Sequence, residues 1–336
     1  MILLSFSFPS LKEKLFKENS RAGYFDFKIG MDGIRSAILG SQEFSEFTAK
    51  VQSIFKKWCQ EFKPMLRGLK VSSNPKSVGK NLSESILDRF SEIDLVDNYD
   101  VYQDFTTYWS ETMQDDLYLI STDGWRITLE SIKDKKGKII GWDCPLLPKE
   151  VLSETYFKEL KEKIEGLAFE LESISSEKQS LEDVNSGDED LFSDVRNEKD
   201  NKITKSKLQQ RIKKIENDPE NKEEFEILSQ FMKLLEKENS KRVEIKGLED
   251  LLDRRLREKF NALVEEEIKE SVIEKKWFHS LETLLNGKIE QIFYKLIERV
   301  RILDERYAIP MPELTSNSMN LTEKVEEHLR ELGFKW

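Results

Sequence analysis

Apolar residues recur at alternating steps of three and four through the second half of the chain. In the first such run the repeating residues, separated mostly by Lys and Glu, are Phe157, Leu160, Ile164, Leu167, Leu171 and Ile174. This spacing predicts a long amphipathic helix with a coiled-coil seam. A second run, from about residue 222 towards 267, has the same spacing, with a slip near Asn239 that allows a bend. Two long helices joined by a connector predict an antiparallel helical hairpin.

A third stripe marks the candidate partner-binding surface, in a helix predicted over about 273–307. Its members are Phe293, Leu296, Val300, Leu303 and Tyr307. One interpretation is that the stripes pack only on each other, and the other is that one stripe is left for helices of another chain. Both interpretations can hold, because three amphipathic helices present more apolar surface than a single helical hairpin can bury. Pro310 and Pro312 predict the end of this helix, and a final helix is predicted over 320–332.

The first part of the chain has a mixed pattern. Residues 24–29 alternate in polarity and predict a short strand, whereas the three–four spacing from Phe44 to Phe62 predicts a helix. Ser41 is the expected N-cap of that helix, and Pro64 is expected to end it. A further helix is predicted from about Asn98.

Short apolar runs then predict a small sheet. The runs at 117–120 and 125–129 flank a Gly-containing turn and predict a hairpin, and 139–142 predicts a third strand. Residues 71–81 are polar, contain Gly and Pro, and predict a loop.

The fold class predicted from these patterns is mainly α. We divide the chain into a small mixed α/β module at 1–147 and a helical-bundle assembly region at 148–336 that contains the long coiled-coil hairpin. A segment at 182–201 is acidic and poor in apolar residues, which predicts a flexible loop within the second region.

Composition narrows the functional classes. Apolar residues make up 38% and charged residues 35% of the chain, a mix that favours solvated helices with narrow seams over a thick core. With a net charge of -11, polyanion binding would need a local basic patch or a basic partner. Two distant cysteines, Cys59 and Cys144, offer no disulfide framework and predict a cytoplasmic location. No apolar run approaches the roughly 20 residues that span a bilayer, so no membrane partner is expected.

Signatures of catalysis are missing from the sequence. There is no Gly-x-Gly turn for a nucleotide cofactor, and the nearest approach to an Asn-Pro-Pro-aromatic motif of adenine methylation is Asn74-Pro75-Lys76-Ser77, which we interpret as a turn. Asp115 and Asp116 could serve a metal-dependent nuclease, but adjacent acids arise by chance in so acidic a chain. No catalytic, cofactor-binding or metal residues are therefore predicted, and an intact enzyme would require this chain alone to bind S-adenosylmethionine.

One basic run is a candidate for contacts with DNA phosphates. Its members are Lys205, Lys207, Arg211, Lys213 and Lys214. The run could neutralise phosphates. It could equally pair with the acidic segment before it, which is the commoner arrangement of opposite charge blocks in one chain and the one we favour.

Several strings resemble the carboxy-terminal region of the modification subunit of type I restriction–modification systems, in the N-6 adenine-specific DNA methyltransferase family. They occur in the family's order, and the similarity covers most of the chain from about Arg21 onward. The strings are Asp97-Asn98-Tyr99-Asp100-Val101-Tyr102-Gln103, Tyr108-Trp109, Met113-Gln114-Asp115-Asp116, Asp200-x-Lys202-Ile203-Thr204-Lys205, Glu305-Arg306-Tyr307-Ala308, Pro310-x-Pro312-Glu313-Leu314 and Gly333-Phe334-x-Trp336.

The resemblance implies a role in assembly. In that family a methyltransferase domain, which uses S-adenosylmethionine, precedes this region, and the carboxy-terminal helices dock on the specificity subunit that reads DNA. The family's catalytic motifs have no counterpart here, so the chain is expected to be a fragment that is inactive alone, from a split or degraded gene or an internal start. Its expected partners are the specificity subunit, other subunits of the complex and, through the complex, DNA. The alternative is an independent coiled-coil adaptor or a self-associating structural protein.

Overall fold

The computed structural model describes residues 9–18, 25–186, 191–197, 202–216, 218–307 and 311–333. The chain forms two compact units. Unit 1 comprises the residues up to Gly124 together with those from Lys276 onward, and unit 2 comprises Trp125–Lys275.

The described part of the chain is mainly helical, as predicted. In chain order the elements are α1 (Pro9–Leu15), β1 (Phe16–Glu18), β2 (Phe25–Phe27), α2 (Met31–Leu39), α3 (Gln42–Arg67), α4 (Pro75–Phe90), α5 (Asn98–Tyr108), a π-helical turn (Trp109–Met113), α6 (Gln114–Asp123), β3 (Glu130–Lys133), β4 (Ile139–Asp143), α7 (Lys149–Tyr156), α8 (Lys158–Val184), a 3₁₀ turn (Ser193–Val195), α9 (Lys205–Ile215), a 3₁₀ turn (Pro219–Asn221), α10 (Lys222–Ala262), α11 (Glu265–Glu270), a π-helical segment (Ser271–Phe278), α12 (His279–Tyr307) and α13 (Met311–Glu331).

Unit 1 is built around aromatic side chains of α3. Trp58 is buried, and its ring centroid lies 6.1 Å from those of both Phe105 in α5 and Phe278 in the π-helical segment. Such tilted and edge-on pairs add to the apolar area that the rings bury. Helix α12 packs against α2 and α5, so the carboxy-terminal part of the chain completes a core that the amino-terminal helices begin.

Side-chain caps fix where the helices of unit 1 begin. Ser41 Oγ accepts from Phe44 N at 3.3 Å, which confirms the predicted cap of α3. Asn74 Oδ1 accepts from Lys76 N at 3.1 Å and Pro75 opens α4, so the predicted loop at 71–81 is wrong after Asn74. Pro64 was expected to end α3, but the helix continues to Arg67, so that prediction is wrong by three residues. Pro64 has no N–H to donate to the carbonyl of Gln60, and the helix ends within one turn of it.

The predicted strand at 117–120 is wrong, because this run belongs to helix α6. Met113, Leu117 and Ile120 are buried at a spacing of four and three, which places all three on one helical face. The strand at 139–142 is confirmed as β4, but its antiparallel partner is β3, in the register Glu130↔Asp143.

Unit 2 contains the predicted helical hairpin. Lys163 lies 3.9 Å from Glu244, Lys241 lies 2.6 Å from Glu170, and Lys178 pairs with Glu238. Positions in α10 fall as those in α8 rise, so the two helices run antiparallel. Helix α10 continues through Asn239 as one helix of 41 residues.

The acidic segment is only partly a loop. Residues 182–184 end α8, and Phe192 and Val195 are fully buried in an apolar cluster with Leu208 and Phe231. Arg196 and Glu182 form an ion pair at 2.7 Å. The predicted flexible loop is therefore wrong for residues 191–197, because two apolar side chains anchor them. Residues 187–190 and 198–201 lie outside the described residues.

The compact units divide the chain differently from the predicted boundary at residue 147. Unit 2 starts at Trp125, and α12 and α13 belong with the amino-terminal helices in unit 1. The reason is long-range packing such as that of Phe293 on Phe44, with ring centroids 5.6 Å apart. No helix in the described ranges is both long enough and apolar enough to cross a lipid bilayer.

Candidate functional site

The stripe predicted to bind a partner lies on α12. Phe293 is 5% exposed and contacts Phe44, and Val300 is fully buried. Leu296 and Leu303 are half-buried, and the side chain of Tyr307 lies outside the described part of the structure. The chain's own helices therefore cover Phe293 and Val300. Neither residue is exposed in the chain by itself, and partner binding through this stripe stays a prediction.

The candidate phosphate contacts on α9 are largely engaged within unit 2. Arg211 forms two charge-assisted bonds to the Glu224 carboxylate, at 2.6 and 2.8 Å. Lys205 lies 2.9 Å from Glu236, and Lys207 Nζ donates to the carbonyl of Arg196 at 2.6 Å. Only Lys213 and Lys214 of the five are exposed without an ion pair among the described residues. The favoured interpretation, pairing with the acidic segment before the run, holds for Arg211, whose guanidinium lies 3.2 Å from Asp194. Glu224 and Glu236 belong instead to α10, which follows the run.

The two adjacent acids at the start of α6 have different environments. Asp115 is exposed, whereas Asp116 is buried. The two Asp116 carboxylate oxygens lie 2.8 and 2.7 Å from Lys276 Nζ, and the indole N–H of Trp277 donates to Oδ2 at 2.7 Å. Because Lys276 and Trp277 occupy both oxygens of Asp116, that carboxylate is not free to bind a metal ion together with Asp115. Within the described ranges, no group of three or more His, Cys, Asp or Glu side chains could hold a metal ion.

Burial sets the electrostatics of this network. Desolvation raises the pKa of Asp116, although the Lys276 ammonium and the Trp277 N–H act in the opposite direction. Desolvation also raises the pKa of Tyr108 to about 12, with a hydrogen bond from Ser280 opposing the shift and the Asp116 charge adding to it. Tyr108 therefore stays a neutral donor, and its hydroxyl donates to the Lys276 carbonyl at 3.2 Å.

The network joins two helical irregularities distant in sequence. Tyr108 precedes the π-helical turn Trp109–Met113, and Lys276 and Trp277 lie in the π-helical segment Ser271–Phe278. Such irregularities let side chains reach partners that a regular helix would not present. Because both carboxylate oxygens of Asp116 are occupied by donors of the chain itself, we assign the network a structural role in closing unit 1.

The clearest unoccupied surface lies on α13. Leu314, Leu321 and Val325 are 45%, 62% and 57% exposed, and their spacing of seven and four puts them on one face. Leu332 continues that face just beyond the helix end and is also exposed. The sequence did not indicate this surface fully, because the predicted helix began at residue 320. The helix begins at Met311, which brings Leu314 into line with the later positions.

Comparisons with known proteins identify no relative: no family model, no curated protein and no solved structure matches this chain.

Proposed function

We propose that this chain is the non-catalytic, carboxy-terminal part of a type I modification subunit, and that it docks on the DNA specificity subunit in a cytoplasmic complex. In this proposal the chain supplies no cofactor site, and S-adenosylmethionine is bound by the rest of the modification subunit. The family resemblance motivates the proposal, and the exposed apolar face of α13 is the observation that carries it.

The face of α13 has the chemistry of a helix–helix seam. Its apolar positions Leu314, Leu321, Val325 and Leu332 alternate with small or polar residues at Ser318 and His328, in steps of four and three. Full burial of a Leu or Val side chain contributes about 1.5–3 kcal/mol, so three or four such residues are a substantial driving force. A partner helix with a matching seam would cover them.

Co-purification with a type I specificity subunit tests the proposal. The variant Leu321→Glu/Val325→Glu places two charges in the seam, and we expect recovery of the complex to fall at least about tenfold, the change that 1.4 kcal/mol produces. The matched control is Ser316→Glu/Asn320→Glu, which adds the same charge to the opposite face of the same helix and should leave recovery unchanged.

Two outcomes would contradict the proposal. The first is that the full chain, correctly folded, does not co-purify with the specificity subunit at all. The second is that the seam variant and the control variant are recovered equally well. In the second case binding would use another surface, and the face of α13 would have no part in it.

Self-association is the second candidate function, because a second copy could also cover the face of α13. Light scattering on the isolated chain separates the two. If the isolated chain is mainly monomeric, the result supports docking on another protein. A stable dimer that Leu321→Glu/Val325→Glu dissociates would support the alternative, a self-associating coiled-coil protein.

A further inference from the structure

The two-stranded sheet of unit 2, β3–β4, is firmly attached at its base. Trp142 is buried, and its indole N–H donates to Asp253 Oδ1 of α10 at 2.7 Å. Its ring meets Phe260 edge-on with centroids 5.9 Å apart, and the Arg257 guanidinium lies 4.8 Å from the ring centroid. Ring contacts of these kinds add to the apolar burial. The β-hairpin therefore has a fixed base on α10.

Lysines are concentrated at the other end of the β-hairpin. Four of them, Lys133, Lys135, Lys136 and Lys138, fall within six residues, and all are exposed. None of the four forms an ion pair with any described residue. The acid among them, Asp134, is engaged in the turn, where Oδ1 accepts from the backbone N–H groups of Lys136 and Lys138 at 2.8 and 2.9 Å.

This concentration differs from the other basic run of the unit. On α9, Arg211 and Lys205 are held by Glu224 and Glu236, so only two lysines of that run, Lys213 and Lys214, are exposed without an ion pair to a described residue. In a chain with a net charge of -11, four adjacent lysines without acidic partners form a local positive surface that can attract a polyanion.

We propose that the tip of the β3–β4 hairpin binds double-stranded DNA, with its four lysines on the phosphate backbone and the ribbon at the major groove. This site goes beyond the proposed docking on a specificity subunit and does not depend on it. B-form DNA has a major groove wide enough for a two-stranded β-ribbon. The sheet contains only β3 and β4, so no further strand blocks such an approach.

Exposed apolar side chains on the ribbon fit the same ligand. Ile132, Ile139 and Ile140 are exposed beside the lysines. Apolar side chains in the major groove contact the methyl group of thymine. Duplex RNA fits less well, because its A-form major groove is deep and narrow. A membrane surface also fits less well, since the basic amphipathic segments that lie in lipid interfaces are helices, whereas this one is a two-stranded ribbon whose aromatic residue, Trp142, is buried at the base.

Fluorescence anisotropy with a labelled DNA duplex and the full chain tests the site. The variant replaces Lys133, Lys135, Lys136 and Lys138 with Gln, which removes four charges at exposed positions. If all four lysines contact phosphates, the association constant of the wild type should fall more steeply with salt concentration than that of the variant. In a plot of the logarithm of the association constant against the logarithm of salt concentration, the two slopes should differ by roughly 3–4. Over a rise from about 50 to 200 mM salt, these contacts alone correspond to a loss of roughly 150-fold in affinity.

The matched control replaces Lys222, Lys233, Lys237 and Lys246 with Gln. These four lysines are exposed in the same unit and form no ion pair with described residues, so the control has the same net charge as the variant. We expect the control to bind duplex DNA with nearly the wild-type affinity and salt slope. Circular dichroism of all three proteins should be the same, since every replaced side chain is exposed.

Three results would overturn the site. The wild-type chain could fail to bind duplex DNA at about 50 mM salt, where phosphate contacts are strongest. The control could lose as much affinity as the β-hairpin variant, which would indicate an effect of net charge alone. Finally, duplex RNA or vesicles containing phosphatidylserine could bind at least as tightly as DNA with the same dependence on these lysines.

Discussion

Replacing Asp116 with Asn removes one charge from the buried pair that closes unit 1. The Asp116 and Lys276 side chains are only 5% and 9% exposed, and their charged atoms are 2.7 Å apart. Asn has nearly the same size and can still accept from the Trp277 N–H. The change therefore isolates the charge, because it removes the negative charge of the carboxylate that both bonds to the buried Lys276 ammonium use.

The expected loss of stability is large. Removing one partner of a buried ion pair costs about 3–5 kcal/mol, because the desolvation of the remaining charge is no longer offset. Typical single substitutions cost about 0.5–3 kcal/mol. Substituting both partners, as in Asp116→Leu/Lys276→Met, removes both charges, and we expect most of the stability to return.

Urea-induced unfolding, combined with amide hydrogen exchange of α6 and residues 276–278, measures this effect within unit 1. The control is Glu84→Gln, which breaks the exposed pair between Lys80 and Glu84 on α4 and should cost less than about 0.5 kcal/mol. If Asp116→Asn costs no more than Glu84→Gln, water reaches the Asp116–Lys276 pair and the reasoning from burial is wrong.

Two further predictions concern single positions. Gly79→Ala should destabilise unit 1 by about 1–3 kcal/mol, because a Cβ there would lie 2.6 Å from Cε2 of Trp109. The control Gly166→Ala in α8 places its Cβ more than 4 Å from any packed neighbour and should stabilise the protein by about 0.5–1 kcal/mol. Equal effects of the two substitutions in thermal unfolding would contradict this prediction. Burial alone would raise the pKa of Glu238, but hydrogen bonds from Lys178 and Arg242 outweigh it and lower the pKa below 4.5. The unfolded chain then binds more protons, so unit 2 should lose stability as the pH falls below about 4.5, and Glu238→Gln should flatten that dependence in acid unfolding curves.

Periodic patterns in the sequence were enough to predict the long helices. The seam from Phe157 to Ile174 runs along α8, and α10 extends over most of the predicted second helix. These predictions are confirmed because a strict three–four spacing over several turns fits only an amphipathic helix. The run at 117–120 was too short for the same test, and a four-residue apolar run is compatible with a strand or a buried helix.

The arrangement of the helices in unit 1 could not be predicted, because it depends on contacts between distant positions. Asp116 and Lys276 are 160 residues apart, and neither lies in a pattern that points to the other. Phe293 belongs to a clear apolar stripe, but the spacing of a stripe does not identify what covers it. Here Phe44 covers it, which moves the candidate docking surface from α12 to α13.

The β3–β4 hairpin shows that the sequence also does not determine which charged side chains are available to a ligand. The sequence predicted strand β4, but only the structure shows that the four lysines beside it are exposed and form no ion pair with a described residue. The basic run on α9 was expected to pair with the acidic segment before it, and in the structure Arg211 is held mainly by Glu224 of α10. Whether a charge is available is a property of its neighbours in space.

Amide hydrogen exchange of α13, with and without a type I specificity subunit, tests the central claim most directly. A helix whose side chains are almost all exposed, as in α13, exchanges quickly, because little packing opposes its opening. We predict that the specificity subunit slows exchange over residues 314–332 and that Leu321→Glu/Val325→Glu abolishes this protection. Unchanged exchange in α13 under conditions where the two proteins form a complex would contradict the account.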